Sequence, residues 1–379
     1  MKVLHVIPNL IKGGAQRLVI DICNEFNNHK DFEVKIIVLS NSKNAFSYNS
    51  KGLDIEYCNV KLDFSIFKKD TIIIKPYEDI IDDFKPSIVH SHLYFSEIVT
   101  HQSPRKNIKY ITHFHDNIPQ FSRINFTNIF YKEKITNFYE KKRLFLKYNK
   151  AKKLFITISE NSHQYAKKVL NKKWSNNIIK LENAILHSSF SPVQKKEKSN
   201  IISLVNVGNL LKNKNQIFLL DILKKLITKG YKVNLTLVGD GVARNEILNK
   251  AKLLSVEKNL KMVGAVNNVQ KYLWESNFYI HSAFSEAFGL VLIESMASKT
   301  PVITYDGGGN KDIIKNNETG ILIKELDSKK FADAVIKLFE DKKLYEKIVA
   351  NAFNFSKQYD IKNYVHELIK IYRKQYSRN

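Results

Sequence analysis

The sequence predicts an α/β protein built from two mostly parallel sheets, and three observations carry that prediction. Short apolar runs alternate with amphipathic helical stretches along nearly the whole chain, which is the signature of successive βα units. At 379 residues the chain exceeds what one hydrophobic core comfortably organises. A polar, charged run, QKKEKSN over residues 194–200, stops the alternation just ahead of a fresh apolar strand. Domains are therefore expected over residues 1–193 and 200–355, with 356–379 forming a closing helix.

In the first domain, residues 2–7 read as a strand, Pro8 to Gly14 as a loop, and 15–27 as an amphipathic helix with Leu18, Ile22 and Cys23 inward. Gly13 and Gly14 stand at the helix entrance, where glycines allow positive φ and leave backbone donors bare, which suits a phosphate-binding mouth and equally a plain helix-start loop. Further strands are expected at 33–39, 54–60, 87–92, 109–114 and 154–158. His92 and His115 fall at the carboxyl ends of two of them, the edge at which open parallel sheets hold ligands. His113 lies two residues before His115, on the same face of its strand.

The stretch 131–153, YKEKITNFYEKKRLFLKYNKAKK, is rich in Lys and Arg with apolar residues interleaved. Its plain reading is a helix with an apolar face in the core and a solvated basic face. Its sharper reading is a helix lying on an anionic membrane surface.

The second domain opens with a strand at 201–207, then GNLLKNKNQ, with Asn209 and Lys214 in the loop and a helix from about residue 215. The strand at 233–238 leads into Gly239-Asp240-Gly241, but Arg244 stands where a dinucleotide fingerprint needs its third glycine, so no NAD site is read there. The stretch the chain is organised around is FYIHSAFSEAFGLVLIESMASKTP, residues 278–301. It predicts a strand over 278–283, a polar loop, and a helix starting near Phe288 or Gly289 and ending before Thr300.

The first free N–H groups of that helix, at Phe288, Gly289 and Leu290, favour an anion. Glu286 in the loop and Glu294 on the second turn, leaning back toward the mouth, frame it with carboxylates. Phosphate on the N–H groups and neutral hydroxyls on the carboxylates is the stable arrangement, and a nucleotide sugar presents both.

The formal charge of +24 is spread evenly over both halves. That suits anionic surfaces or phosphorylated ligands, with no nucleic-acid-reading face implied. Two isolated cysteines make neither a disulfide framework nor a metal cluster. The apolar run before Pro8 is too short for a signal peptide, and no stretch approaches the roughly 20 apolar residues of a spanning helix. The expected location is the cytoplasm, free or peripheral on the inner face of the cell membrane.

SEAFGLVLIESMASKTPVI, with its Glu, seven residues, Glu spacing, resembles the donor site of the retaining glycosyltransferases of family four, which have the two-domain GT-B fold. NLIKGGAQR resembles that family's glycine loop, the His115-Asp116 pair its strand-end histidine, and Ser159-Glu160 in ITISEN and Asn183 in LENAILHSSFSP two further landmarks. The resemblance implies that Glu286 contacts the transferred sugar, Glu294 the nucleotide ribose and Lys214 the diphosphate. Phe288, Gly289, Leu290, Gly13 and Gly14 then join them in donor binding, while His115 lies by the sugar and His92 and Ser159 on the acceptor side. It also implies a last helix that crosses back onto the first domain.

Asn209 stands where the family usually has Arg, so either Lys212 or Arg17 compensates, or Asn209 makes a neutral contact and donor affinity is lower. Ala184 replaces a glycine, and Leu186 stands where Asp is frequent. No Asp-x-Asp motif is present, so neither a metal nor a cofactor is expected. The implied activity is hexosyl or N-acetylhexosaminyl transfer from a nucleotide sugar, expected to be a UDP-sugar, to a glycan or lipid-linked glycan in bacterial surface polysaccharide, lipopolysaccharide or capsule synthesis. A nucleotide-sugar epimerase on the same fold, and a non-catalytic membrane-attached scaffold, are the alternatives.

Overall fold

The computed structural model describes residues 1–40, 50, 52–64, 70–118, 121, 132–151, 153–170, 172–192 and 200–377. The linker expected at 194–200 lies, but for Asn200, outside the described residues, as do Tyr131 and Lys152 of the basic stretch. Two compact units form: Met1–Asn183 with Ile361–Asn379, and Ala184–Asp360.

The first unit holds β1 (Lys2–Ile7), β2 (Glu33–Val38), β3 (Asp54–Tyr57), the small hairpin β4 (Lys61–Asp63) and β5 (Thr71–Ile73), then β6 (Ile88–His92), β7 (Lys109–Phe114), β8 (Lys153–Thr157) and β9 (Ile178–Lys180). Its parallel sheet runs β3-β2-β1-β6-β7-β8-β9. Strand order reverses between β1 and β6, a switch point of the kind at which such sheets bind ligands. The strands β6, β7 and β8 are buried along their whole length, as expected of a parallel sheet covered on both faces. Histidines nevertheless occupy four of the buried positions: His5, His90, His92 and His113.

The helix Ile361–Tyr376 closes this unit. Its buried residues, Ile361, Tyr364, Val365, Leu368, Ile369 and Tyr372, follow the three-and-four spacing of one helical stripe. Tyr372 stacks on Phe26 of the helix Gly14–Phe26 with ring centroids 5.9 Å apart. The last segment of the sequence therefore completes the core of the first unit.

The second unit contains β10 (Ile202–Val207), β11 (Val233–Val238), β12 (Leu260–Gly264), β13 (Phe278–His281), β14 (Val302–Tyr305) and β15 (Ile321–Ile323) in the parallel order β12-β11-β10-β13-β14-β15. Its switch point falls between β10 and β13, where Leu204 pairs with Phe278. Leu219, Leu223, Leu235, Phe278, Ile303 and Phe331 are among the buried residues of its core.

The hairpin and β9 leave no mark in the sequence pattern, because three-residue strands are too short to show a period. The strand expected over 278–283 ends at His281, and the helix expected from Phe288 or Gly289 begins at Leu290.

Candidate functional site

At the second unit's switch point, the loops after β10 and β13 are tied together by their backbones. The turn Lys212–Lys214 is followed by Asn215 in the left-handed conformation, and the helix expected from 215 starts only at Leu219 after a second short turn. The Ser282 hydroxyl donates to the Asn215 carbonyl at 2.8 Å, and the Phe284 N–H to the Asn213 carbonyl at 3.0 Å. These bonds bring Lys214 against Glu286, with Nζ 2.5 Å from Oε1. The two side chains are 25% and 12% exposed.

His281 Nε2 is 3.3 Å from the same carboxylate oxygen, and the Tyr279 hydroxyl is 3.0 Å from His281 Nδ1. Tyr279 and His281 share one face of β13 because they are two residues apart. Burial alone would raise the Glu286 carboxyl; the imidazole of His281 and then the Lys214 ammonium oppose it and hold the carboxyl down to about 2. Burial, followed by the charges of Glu286 and Glu294, pushes the Tyr279 hydroxyl well above its ordinary value. The result is a polar line, Tyr279, His281, Glu286, Lys214, that leads from inside the sheet to its carboxyl edge.

Backbone geometry holds Glu286 in place. Gly309 N–H donates to its carbonyl at 2.9 Å, and Glu286 bridges to Gly308. Gly308 has φ +66°, and a Cβ there would stand 2.8 Å from the Glu286 carbonyl oxygen. Gly289, at φ +87°, ends the loop and caps the helix Leu290–Ala297 with no side-chain cap of its own. Leu290 is the helix's first residue, Glu294 is half-buried one turn on, and the Phe288 ring is buried against Tyr359. Phe288 therefore offers backbone at the mouth, while its side chain is core. Asn209 is exposed, and its carbonyl accepts from Gln216 Nε2 at 3.0 Å.

In the first unit, the structure corrects several expectations. Gly13 is extended, at φ −170°, so positive φ is not what selects glycine there; Gly14 simply begins the helix. The Ser159 hydroxyl is buried and spent on a capping box, accepting from Ser162 N–H at 3.0 Å, so it is a helix cap and no free acceptor-side group. His92 is fully buried with both ring nitrogens engaged, Nε2 by His5 Nδ1 and Nδ1 by His115 Nε2, each at 2.9 Å. A direct contact with an acceptor is thus closed to it, whereas the half-buried His115 stands at the strand end.

Behind His92, His90 Nδ1 lies 2.7 Å from the Tyr372 hydroxyl. Burial depresses all five imidazoles, His5 and His115 to about 3 and the others well below the usual range. His5, His90 and Tyr372 behind His92 in the first unit, and Tyr279 and His281 behind Glu286 in the second, are partners that sequence reasoning misses. Their one signal is a histidine inside an otherwise apolar parallel strand, as in KVLHVI, IVHSH and FYIH.

The basic helix Lys132–Tyr148 departs from its plain reading. Leu144 and Tyr148 are buried, but Ile135, Phe138 and Leu146 are 38%, 52% and 61% exposed. Phe138, Lys141, Lys142, Leu146, Lys173 and Trp174 line a groove of about 650 Å³ there.

Comparison with known proteins respects the same division of the chain. A family model described as glycosyl transferases group 1 matches residues 188–355, and one described as glycosyltransferase family 4 matches residues 12–175. A capsular polysaccharide biosynthesis glycosyltransferase, CapH of Staphylococcus aureus, is 25% identical over 98% of each chain. An N-acetylgalactosaminyltransferase of Campylobacter jejuni, acting on an N-acetylgalactosamine-N,N'-diacetylbacillosaminyl-diphospho-undecaprenol, is 29% identical over 48% of each. Among solved structures, Anabaena Alr3699/HepE in complex with UDP and glucose superposes with a TM-score of 0.79 at 16% identity, covering 99% of this chain and 100% of that one. TarM superposes at 0.78 with 15% identity over 98% of both. These likenesses establish the GT-B fold.

Proposed function

The chain belongs to glycosyltransferase family 4, and from that premise we propose that it transfers a hexosyl or N-acetylhexosaminyl group from a UDP-sugar to a hydroxyl of a glycan or lipid-linked glycan. The setting we infer is assembly of bacterial surface polysaccharide, lipopolysaccharide or capsule. Supporting this are the capsule-synthesis relative, the lipid-linked substrate in the name of the Campylobacter relative, and UDP in the complex with Anabaena HepE. We assign donor binding to residues 200–355 and acceptor binding to 1–193.

The observation that carries the reading is the pairing of Lys214 with Glu286 beside the side-chain-uncapped helix start at Gly289. An ammonium and backbone N–H groups suit a diphosphate, and a carboxylate held ionised suits sugar hydroxyls. In this reading Glu286 orients the sugar and Glu294 the ribose. Lys214, with exposed Lys212 on the same turn standing in for the arginine replaced by Asn209, meets the charge that develops on the leaving diphosphate. Transfer with retention then breaks the bond from the anomeric carbon to phosphate and forms the bond to the acceptor oxygen on the same face. The acceptor proton passes to the leaving phosphate oxygen, so neither a protein nucleophile nor a metal is invoked.

The exposed Phe138 and Leu146 beside Lys141 and Lys142 favour peripheral contact with an anionic membrane surface. The decisive experiment incubates the purified protein with a panel of UDP-sugars, with and without a polyprenyl-diphosphate-linked glycan and with chelator present, and reads released UDP and the anomeric configuration of the product by NMR. A retained anomeric configuration with chelator present is the expected result. Inversion, strict metal dependence or isomerisation of the donor alone would each overturn a part of this reading. Failure to bind any nucleoside diphosphate in calorimetry would overturn all of it.

A further inference from the structure

Lys214 and Glu286 are bonded to each other, Nζ to Oε1 at 2.5 Å, yet donor binding asks the first to meet phosphate and the second to meet sugar hydroxyls. Every N–H that the ammonium gives to Glu286 is withheld from a ligand. A diphosphate carries more charge than one carboxylate and draws the ammonium toward itself on its flexible four-carbon stem. Lys214 sits on the short turn Lys212–Lys214 and keeps 25% exposure, so it can follow. Glu286, only 12% exposed, then loses its nearest donor, which is unfavourable for a carboxylate so placed unless another group takes over.

A second donor already stands at the same oxygen. His281 Nε2 is 3.3 Å from Oε1, and among the described residues this buried nitrogen makes no hydrogen bond. The place of its proton follows from the group it faces, an ionised carboxylate, which has only lone pairs to offer. In a neutral ring the proton is therefore on Nε2, and bare Nδ1 accepts from the Tyr279 hydroxyl at 3.0 Å. In a charged ring Nε2 is protonated in any case, and the Tyr279 hydroxyl turns to the Val207 carbonyl at 3.4 Å. Either way an N–H stands beside Oε1 without having closed on it.

The two donors differ in what holds them. The strand β13 is paired with β10 on one side and with β14 on the other, where His281 is in register with Thr304. The His281 ring is 3% exposed and stacks with Tyr279, centroids 5.8 Å and planes 26° apart. The sheet thus fixes the imidazole, while a turn carries the ammonium. Of the two groups that oppose burial at Glu286, the imidazole does more, so the carboxyl stays ionised with the lysine gone. Both donors also address Oε1, and no hydrogen bond among the described residues reaches Oε2.

We infer that His281 is a positioning residue: when a donor's diphosphate draws Lys214 away, His281 Nε2–H closes on Glu286 Oε1 and leaves Oε2 to accept from the sugar. The inference rests on the proposed function, which supplies the diphosphate and the sugar. Lys214 is then a placeholder on Glu286 before the donor arrives and a phosphate ligand afterwards. Tyr279 supports the imidazole from inside the sheet.

The test uses the full chain labelled with ¹⁵N-histidine, with UDP as the probe. Two-bond nitrogen–proton couplings should place a proton on His281 Nε2 before UDP is added, and saturating UDP should move that proton's resonance downfield, as a shortening hydrogen bond does. In calorimetry His281→Leu should bind UDP about 3- to 10-fold more weakly, because Lys214 must leave Glu286 without a partner, and this loss should vanish in a Glu286→Gln background. With a UDP-sugar, His281→Leu should lower kcat about 10- to 100-fold, and His281→Gln, whose amide can put an N–H near Oε1, should regain most of it. Bound UDP that leaves the wild-type His281 resonance unmoved, a His281 ring protonated on Nδ1 alone, or a His281→Leu penalty on UDP that persists beside Glu286→Gln would each overturn the hand-over and leave the donor site standing. A wild type to which UDP does not bind would overturn the UDP-donor reading and the hand-over together.

Discussion

Replacing Lys214 by alanine removes one of the two groups that keep the Glu286 carboxyl ionised in a site where it is only 12% exposed. The folded carboxyl sits at about 2 against an ordinary 4.5. At about 1.4 kcal/mol for each pH unit, that difference corresponds to roughly 3 kcal/mol of net stability, what its partners supply less what burial costs. His281 opposes the burial more than Lys214 does, so the lysine's share is about 1–2 kcal/mol.

The sign is that of a depressed acid: the contribution is complete above pH 4.5 and disappears as pH falls toward 2. Lys214→Ala should therefore lose about 1–2 kcal/mol in urea unfolding at pH 7 and very little near pH 2. In a Glu286→Gln background the same substitution should cost nearly nothing, since the charge it balanced has gone. Equal cost in both backgrounds, or the same cost at pH 7 and pH 2, would refute the assignment of an ion pair that supports this loop. Transfer activity should fall about 10- to 100-fold in Lys214→Ala, the equivalent of one charge-assisted hydrogen bond to the leaving diphosphate.

Glu97, fully buried and bonded by the Tyr148 hydroxyl, is raised by burial to about 8. A raised acid loses stability as pH climbs from 4.5 toward 8, so Glu97→Gln should flatten the unfolding free energy between pH 5 and 7 and exceed the wild type at pH 7 by a few kcal/mol. The buried Lys153 ammonium, lowered to about 7, acts in the opposite sense only above that pH; an unchanged slope in calorimetric melts across pH 5–7 would count against the reading. Gly289→Ala must hold a side chain at φ +87° and meet Leu292 Cδ1 at 3.1 Å, which should cost about 1–2 kcal/mol in denaturant unfolding. Phe138→Glu with Leu146→Glu should abolish co-sedimentation with phosphatidylserine vesicles at low salt; retained binding would assign the contact to another face.

Much of the fold is legible because parallel strands buried on both faces spell themselves out as apolar runs. The bounds read for β1, β7 and β11 agree residue for residue with the structure. The neighbourhood of Lys214 and Glu286 is legible for a related reason: both follow strands, and strands at a switch point deliver their loops to one edge.

The chemistry inside the strands stays hidden. A histidine at position 281 looks like the polar end of FYIH until the fold puts Tyr279 on one side of it and Glu286 on the other. Gly13 and Ser159 invite too much, since a helix start uses glycine and serine for ordinary reasons, as space and as a cap. The exposed Phe138 and Leu146 invite too little, because periodicity alone does not say which of two apolar faces a helix turns inward. No sequence separation hints that Tyr372 meets His90, 282 residues away.

The route of the chain sets an order of completion. Residues 184–360 are an insertion into the first unit, entered and left side by side where Ile185 N–H reaches the Tyr359 carbonyl at 2.9 Å. During synthesis the inserted unit has every residue it needs before the first one does. The earlier-made sheet, its imidazoles already gathered, waits with an open flank until residues 361–376 have also left the ribosome. A premature stop near residue 360 would thus spare the inserted unit and damage the one translated first, the reverse of what position along the message suggests.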